Sequence, residues 1–309
     1  MSIRLGQTYH FQPLPYFKEE VFTASMSMEE IRNLFIEILN NGVHGLCFSL
    51  YENGQMPGSK VHIDQVIRRL EILKPHTRWI RSFSTTDSNE NIPIEASKMG
   101  FKNLVGAWLG KDLKKNEKEI ENLIELGKQG YVHIAAVGNE VLYRDDLSLD
   151  SLLNYIQRVK KALPEIPVGY VDAYYQFVEH PALVENCDLI LTNLYPFWEG
   201  THIDHSLQHL NHMYNITRSV AGNKKIIITE SGWPSRGSAF QNAQPSLQNA
   251  LRYFINTQLW TLDTNIELFY FSSFDEMWKI QTEGDVGASW GIWNANEILK
   301  VNEIHIEKQ

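Results

Sequence analysis

The chain has 309 residues, 43% of them hydrophobic and 21% charged, which is the composition of a globular protein and excludes a disordered or fibrous chain. Lys and Arg number 28 against 37 Asp and Glu, and the resulting net charge of −9, without a long basic run, argues against a nucleic-acid partner. We also expect no membrane partner, because no stretch is apolar for long enough to span a bilayer.

The first 42 residues are predicted to form an N-terminal extension and a helix that packs on the main domain. Leu5–His10 has the pattern of a strand, which we place outside the main sheet. Ser27 and Glu30 have the spacing of a capping box, and Gly42 is a typical helix end. Between them, four apolar residues recur at helical spacing: Ile31, Leu34, Phe35 and Ile38.

Residues 43–309 alternate between strand-like and helix-like patterns, which is typical of parallel β/α architecture. Eight units in this length favour a closed barrel, and no glycine-rich dinucleotide fingerprint follows the first strand. The predicted fold is therefore an α/β protein, a (β/α)8 TIM barrel in a single domain. Its strands are predicted at Gly45–Tyr51, Arg78–Phe83, Lys102–Trp108, Val132–Glu140, Pro167–Ala173, Asp188–Tyr195, Lys225–Glu230 and Glu267–Phe274.

The start of the chain, Met-Ser-Ile-Arg, has no apolar run and does not have the pattern of a signal peptide. A periplasmic or secreted location is open if a leader has been removed, and a cytoplasmic location otherwise. Cys47 and Cys187 lie in apolar strand-like runs, so we expect buried free thiols and no disulfide.

Carboxylates follow three of the predicted strands at the end where a barrel carries its active site. Glu140 ends the fourth strand, Glu230 the seventh, and Glu276 follows the eighth. Two carboxyl groups facing one mouth are costly to bury unless function compensates. A proton donor and a second carboxylate are also the minimum equipment for cleaving a glycosidic bond.

Aromatic residues are frequent near the predicted strand ends, where they are harder to explain as core alone. Three histidines, His205, His209 and His212, share one helix face, opposite the apolar residues of that helix. We expect this histidine stripe to face solvent, with no metal site and no cofactor. The aromatic residues near strand ends are Trp108, Tyr174, Tyr175, Tyr195, Phe197, Trp198, Trp233, Trp278, Trp290 and Trp293.

Several strand-end motifs resemble those of glycoside hydrolase family 17. Thr229-Glu230-Ser231-Gly232-Trp233-Pro234-Ser235 resembles the family's nucleophile motif, and Gly138-Asn139-Glu140-Val141 its acid/base motif. Further resemblances, from about residue 43 to 300, are Cys47-Phe48-Ser49-Leu50-Tyr51, Ile80-Arg81-Ser82-Phe83, Asn193-Leu194-Tyr195-Pro196-Phe197, and Phe274-Asp275-Glu276 with Lys279.

The resemblance implies a retaining enzyme that acts on β-1,3-glucans such as laminarin, with Glu140 as acid/base and Glu230 as nucleophile. It implies that Arg81 and Tyr195 orient Glu230, and that Asn139 holds a sugar hydroxyl. Plant members carry Asn where Asp275 stands and have a longer insertion after strand six, so a bacterial-type member is expected. The other residues predicted to bind substrate are Tyr51, Asp172, Tyr174, Trp198, Trp233, Glu276 and Lys279.

Water as the acceptor would make the enzyme an endo-β-1,3-glucanase, which we favour. Another glucan chain as the acceptor would make it a β-1,3-glucanosyltransferase that elongates or branches chains. A non-catalytic β-glucan-binding protein would not need both glutamates, and an aldolase or isomerase would need a Schiff-base lysine, a phosphate loop or a metal set. The expected partner is a β-1,3-glucan, and the expected oligomeric state is a monomer.

Overall fold

The structure, a computed structural model, describes residues 23–303. Eight parallel strands close into a barrel in which each strand pairs with its sequence neighbours and β8 returns to β1. The predicted (β/α)8 fold is therefore confirmed. The strands are β1 Val43–Cys47, β2 Thr77–Ser82, β3 Lys102–Ala107, β4 Ile134–Asn139, β5 Val168–Ala173, β6 Ile190–Asn193, β7 Ile226–Ser231 and β8 Glu267–Tyr270.

The helices surround the barrel and connect its strands. Short 3₁₀ turns complete the segments after β6 and β8, and a last one runs over Lys300–Glu303. The helices are α1 Met28–Asn41, α2 Ile63–Leu73, α3 Asn91–Lys98, α4 Leu113–Lys128, α5 Leu149–Ala162, α6 Tyr174–Glu179, α7 Pro181–Asn186, α8 Ser206–Val220, α9 Leu247–Thr264 and α10 Ile280–Glu283.

Helix α1 begins and ends where the sequence predicts. Ser27 and Glu30 form both hydrogen bonds of the capping box, and Gly42 ends the helix at a φ of 87°. The apolar face of α1 packs on α9, where the rings of Phe35 and Phe254 are 4.7 Å apart. The strand predicted at Leu5–His10 lies outside the described residues, and the domain boundary at residue 42 stays a prediction.

All eight predicted strands exist, but several end earlier than their apolar runs. β1 ends at Cys47, β6 at Asn193 and β8 at Tyr270, although apolar residues continue beyond each of them. One further backbone hydrogen bond continues the pairing past each strand: Phe48 donates to Arg81, Leu194 to Glu230 and Phe271 to Ser231. The segments that follow lie at the mouth of the barrel, where active-site groups are found.

The prediction that the histidine stripe faces solvent is wrong for His209. Its side chain is buried, with Nδ1 2.5 Å from the hydroxyl of Thr201 and Nε2 2.8 Å from the carboxylate of Glu199. Burial here follows from these polar partners, which an apolar pattern does not reveal. His205 is exposed and His212 is half-buried.

Two further features concern the described residues only. Both cysteines are buried and not disulfide-bonded, as predicted. Between residues 23 and 303, no helix has the length and apolar character needed to cross a membrane.

Candidate active site

Glu140 and Glu230 face each other across the mouth of the barrel. Glu230 belongs to β7 and is almost fully buried, whereas Glu140 follows β4 and is half-buried. Gly138 has a φ of 88° and Glu140 a φ of 52°, so the chain turns sharply on either side of Asn139. A Cβ on Gly138 would lie 2.7 Å from the side chain of Val141, so this turn needs glycine.

Asn193, the last residue of β6, joins the two carboxylates. Its Nδ2 donates to Oε1 of Glu140 at 2.8 Å and to Oε1 of Glu230 at 3.0 Å. Asn193 is buried, and the hydroxyl of Thr229 donates to its Oδ1 at 2.8 Å. The pair of glutamates is thus held on one shared donor.

Arg81 and Tyr195 supply the other donors to Glu230. Arg81 Nη1 donates to Oε1 of Glu230 at 2.6 Å, and Tyr195 Oη donates to Oε2 at 2.7 Å. The second guanidinium nitrogen of Arg81 donates to Oδ1 of Asn139 at 2.7 Å. Burial would lower the pKa of Arg81, but the charges of Glu230 and Cys47 and their hydrogen bonds together outweigh it, so that pKa is raised. These donors favour the ionised form of Glu230.

Glu140 has the opposite environment. Burial, followed by the charge of Glu230, raises the pKa of Glu140 above its ordinary value. Burial and the charge of Glu140 also raise the pKa of Asp172 to about 7. The site therefore places a carboxylate that accepts from three side-chain donors beside one whose pKa is raised.

A third group of charges lies after β8. Lys279 Nζ is 3.3 Å from the carboxylate of Glu276 and 4.1 Å from the ring centre of Phe271. Glu276 Oε1 accepts from the backbone N–H of Tyr51 at 3.2 Å. Burial raises the pKa of nearby Glu283 to about 7, although Lys279 acts against it. Sequence reasoning did not identify Glu283.

Aromatic side chains line the mouth on both sides of the glutamates. Trp198 is half-buried, with its ring 5.1 Å from Phe197 and 5.7 Å from Trp290. Trp108, directly after β3, is 38% exposed. Its ring lies over the guanidinium of Arg144 at 4.5 Å, and Arg144 in turn donates to the backbone carbonyl of Asn139.

Three predicted substrate-binding residues are buried too deeply to touch a ligand in this conformation. Asp172, Tyr174 and Trp233 expose 3% or less. Asp172 accepts a hydrogen bond from Tyr170, and the indole N–H of Trp233 donates to the carbonyl of Gln244 at 3.0 Å. In this structure they pack behind the surface of the site, and their role in substrate binding stays a prediction.

The structure brings the remaining predicted residues to the mouth and adds others. Arg81 and Tyr195 contact Glu230, and Arg81 also contacts Asn139. Tyr51 and Lys279 contact Glu276, and Trp198 lies on the segment after β6. Asn193 and Thr229 lie inside the strand-end motifs given above, yet the sequence alone predicts no catalytic or binding role for either. The sequence feature that could have identified Asn193 is its position, because it ends a strand on the side of the barrel where catalytic groups lie.

The described residues contain no group of three or more His, Cys, Asp or Glu side chains arranged to hold a metal ion. The pair of carboxylates by itself has the equipment for acid-assisted nucleophilic displacement at an acetal carbon. Glu230 accepts from Arg81, and the raised pKa of Glu140 suits it to deliver a proton.

Comparisons with known proteins agree with this geometry. A model of the BtgE/BtgC glycoside hydrolase domain matches residues 45–291. The glucan 1,3-beta-glucosidase BGL2 of Candida albicans is 27% identical over 259 residues, which cover 75% of this chain and 83% of that protein. An active-site mutant of a Rhizomucor miehei beta-1,3-glucanosyltransferase, in complex with laminaritriose, superposes with a TM-score of 0.76 at 29% identity, over 84% of this chain and 96% of that one.

Proposed function

Because the chain belongs to the BtgE/BtgC glycoside hydrolases of family 17, we propose that it is a retaining endo-β-1,3-glucanase that hydrolyses laminarin-type glucans. The names of its relatives support a β-1,3-glucan as the substrate. One relative is called a glucan 1,3-beta-glucosidase, and the structure of another is a complex with laminaritriose. The exposed ring of Trp108 and the half-buried ring of Trp198 offer the apolar faces on which sugar rings stack.

The shared contact of Asn193 carries the proposal of retention. Two oxygens bound to one nitrogen at 2.8 and 3.0 Å cannot be further apart than the sum of those distances. The nearest oxygens of the two carboxylates are thus closer together than the separation of about 6.5–9.5 Å that an inverting enzyme keeps between its carboxyl groups for a water. The arrangement supports direct attack by a carboxylate, for which the separation is about 5–5.5 Å.

In the first step, an oxygen of Glu230 bonds to the anomeric carbon while the bond from that carbon to the glycosidic oxygen breaks. Glu140 gives its proton to the departing oxygen, so the shorter glucan leaves as an alcohol. Esterification removes the charge of Glu230, and the pKa of Glu140 falls because that charge was one cause of its elevation. Glu140 then takes a proton from water, which attacks the anomeric carbon and releases Glu230.

The second candidate function is transfer to another glucan chain instead of water. The similarity to the Rhizomucor miehei beta-1,3-glucanosyltransferase favours it. The chemistry up to the glycosyl-enzyme is the same for both functions. Whether the enzyme hydrolyses or transfers depends on whether water or a sugar hydroxyl reaches the glycosyl-enzyme first.

Incubation with laminarin and with laminaripentaose, followed by separation of the products, tests both functions. Shorter products only, absent with Glu230→Gln, support hydrolysis, whereas products longer than the pentaose establish transfer. Proton NMR during the first minutes reports the anomer released. A β-anomer supports retention, and an initial α-anomer contradicts it.

Two narrower proposals accompany this one. We propose a bacterial-type member of the family, since the segment after β6 is short, and a monomer in solution. Light scattering coupled to size-exclusion chromatography measures the second, and a mass of twice 35.7 kDa would refute it.

A further inference from the structure

We propose that Thr229 is a positioning residue that fixes the amide of Asn193 as the common hydrogen-bond donor of both catalytic carboxylates. The inference rests on the proposed function and deepens it, since it explains how the acid proton is placed. It is carried by three hydrogen bonds and by the burial of the two side chains.

The hydroxyl of Thr229 decides which way the amide of Asn193 faces. It donates to Oδ1 at 2.8 Å, and Thr229 has no exposed surface, so water does not compete for that oxygen. The amide nitrogen is then turned towards the glutamates. It carries two hydrogens, and two acceptors lie within reach, Oε1 of Glu140 and Oε1 of Glu230.

A group that can only donate determines where the proton of Glu140 resides. The amide nitrogen offers no lone pair to a carboxylic O–H, so the Oε1 that faces it must be the unprotonated oxygen. The proton is therefore held on Oε2 of Glu140. Without this contact, either oxygen could carry the proton, and only part of the enzyme would have it correctly placed.

The same contact adjusts the acidity of the pair. The hydrogen bond from Asn193 lowers the pKa of Glu140, against the larger effects of burial and of the charge of Glu230. Loss of the donor therefore raises the pKa of Glu140 and also disfavours the ionised form of Glu230. Other titratable or charged groups face the pair and stay unchanged in the variants below: Cys47, Arg81, Tyr143, Arg144, Asp172, Tyr175, Tyr195, Glu276, Lys279 and Glu283.

The chain offers a matched control for the decisive variant, Thr229→Val. Thr192 in β6 is equally buried, and within the described part of the chain its hydroxyl meets no hydrogen-bond partner. Thr192→Val is thus the same chemical change at a site that leaves Asn193 alone. Thr229→Ser keeps the donor hydroxyl, and Asn193→Ala removes the amide itself.

The experiment measures kcat/KM on laminaripentaose from pH 4 to 9, together with the titration of Glu140 by carboxyl carbon NMR, assigned by comparison with Glu140→Gln. In Thr229→Val and Asn193→Ala, we expect both limbs of the pH profile and the Glu140 titration to move up by about half a unit to one unit. Thr229→Ser and Thr192→Val are expected to follow the wild type.

Unchanged profiles in Thr229→Val, or equal shifts in Thr192→Val, would overturn the proposal. If Thr229→Val does not fold, Asn193→Ala decides, and a profile like that of the wild type refutes the shared donor. If the wild type cleaves neither laminarin nor laminaripentaose, the proposed function fails. The NMR titration still tests the inference in that case, because it needs no substrate.

Discussion

Glu230 accepts hydrogen bonds from side chains that come from different strands. Arg81, Asn193 and Tyr195 belong to or follow β2 and β6, and together they reach both carboxylate oxygens. Each donor is buried or half-buried, so water does not replace it readily when it is lost. The nucleophile therefore depends on each of these side chains separately.

Replacing Tyr195 with Phe removes a donor to Oε2 of Glu230 without changing the shape of the ring. We expect kcat/KM to fall about tenfold or more, the size of a lost hydrogen bond to a charged group. The acidic limb of the pH profile should move up, because the ionised nucleophile has lost a donor. Tyr155→Phe, in α5 beside Glu117 of α4, is the control, and a Tyr195→Phe enzyme with the wild-type profile would contradict the assignment.

At this scale, the sequence predicted Glu140, Glu230, Arg81 and Tyr195 because each lies at a strand end within a recognisable motif. The partnership of Asn193 with Thr229 was not predictable in the same way. The two residues are 36 positions apart, and the orientation of an amide depends on what its oxygen meets. The burial of Asp172 and Trp233 was not predictable for a related reason, since a strand-end position does not state how deep a side chain lies.

Elements are joined near the mouth by buried polar side chains. Glu119 of α4 is fully buried, and its carboxylate accepts from the backbone N–H groups of Thr85 and Trp108 at 2.7 and 3.1 Å. It also accepts from the hydroxyls of Ser84 and Thr86, both at 2.5 Å. One helix thus fixes the segments after β2 and β3, including the one that presents Trp108.

Glu119→Leu keeps the volume and removes every acceptor, so it should lower the free energy of unfolding by about 3 kcal/mol or more. Glu119→Gln should cost less, because the hydroxyls of Ser84 and Thr86 can turn to accept from its amide. Urea unfolding measures both effects. Glu125→Gln, on an exposed face of the same helix, is the control, and equal losses at the two positions would refute the role of Glu119.

The last described turn of the chain is tied to the segment after β8. Lys300 is buried, and its amine lies 2.6 Å from Asp275 and 2.8 Å from the hydroxyl of Ser235. Burial raises the pKa of Asp275 in spite of this cation. The ion pair therefore compensates a carboxylate that the fold has already placed away from water.

Lys300→Met should destabilise the protein by about 3–5 kcal/mol, because Asp275 loses its cation. Asp275→Asn in the same chain should restore most of that loss. Thermal unfolding of the single and double variants measures the difference. A double variant no more stable than Lys300→Met would show that the pair is not what stabilises this turn.

The element order was readable from sequence because hydrophobic runs and helical spacing alternate along the whole barrel. Strand ends were less predictable, since apolar residues continue past Cys47, Asn193 and Tyr270 into the mouth. Helix α3 received no prediction of its own, and Pro93 inside it disguises the pattern. Prolines are tolerated in the first turn of a helix, which is where Pro93 lies.

Across the whole molecule, catalysis and stability compete. Burial raises the pKa of Glu140, and it raises the pKa of Asp172 and of Glu283 to about 7. Such carboxyl groups bind their protons more tightly in the folded chain than in the unfolded chain. The stability that they contribute at low pH is therefore lost as the pH rises from the ordinary carboxyl range towards 7.

Glu140→Gln should consequently be more stable than the wild type, by roughly 0.5–2 kcal/mol at pH 8 and by less at pH 5. Glu230→Gln should be less stable than the wild type at both values, because buried Arg81 loses its anionic partner. Differential scanning calorimetry at the two pH values compares them. Equal melting temperatures for wild type and Glu140→Gln at pH 8 would contradict this account.

The left-handed backbone at Glu140 adds to the same conflict. A φ of 52° suits glycine or asparagine better than glutamate, and either replacement would also remove a repelled charge. In a library of variants selected only for heat stability, substitutions at position 140 should therefore appear early and repeatedly. The most heat-stable variants would then be catalytically inactive. A search for thermostable variants of this barrel therefore has to measure turnover as well as heat stability for each variant.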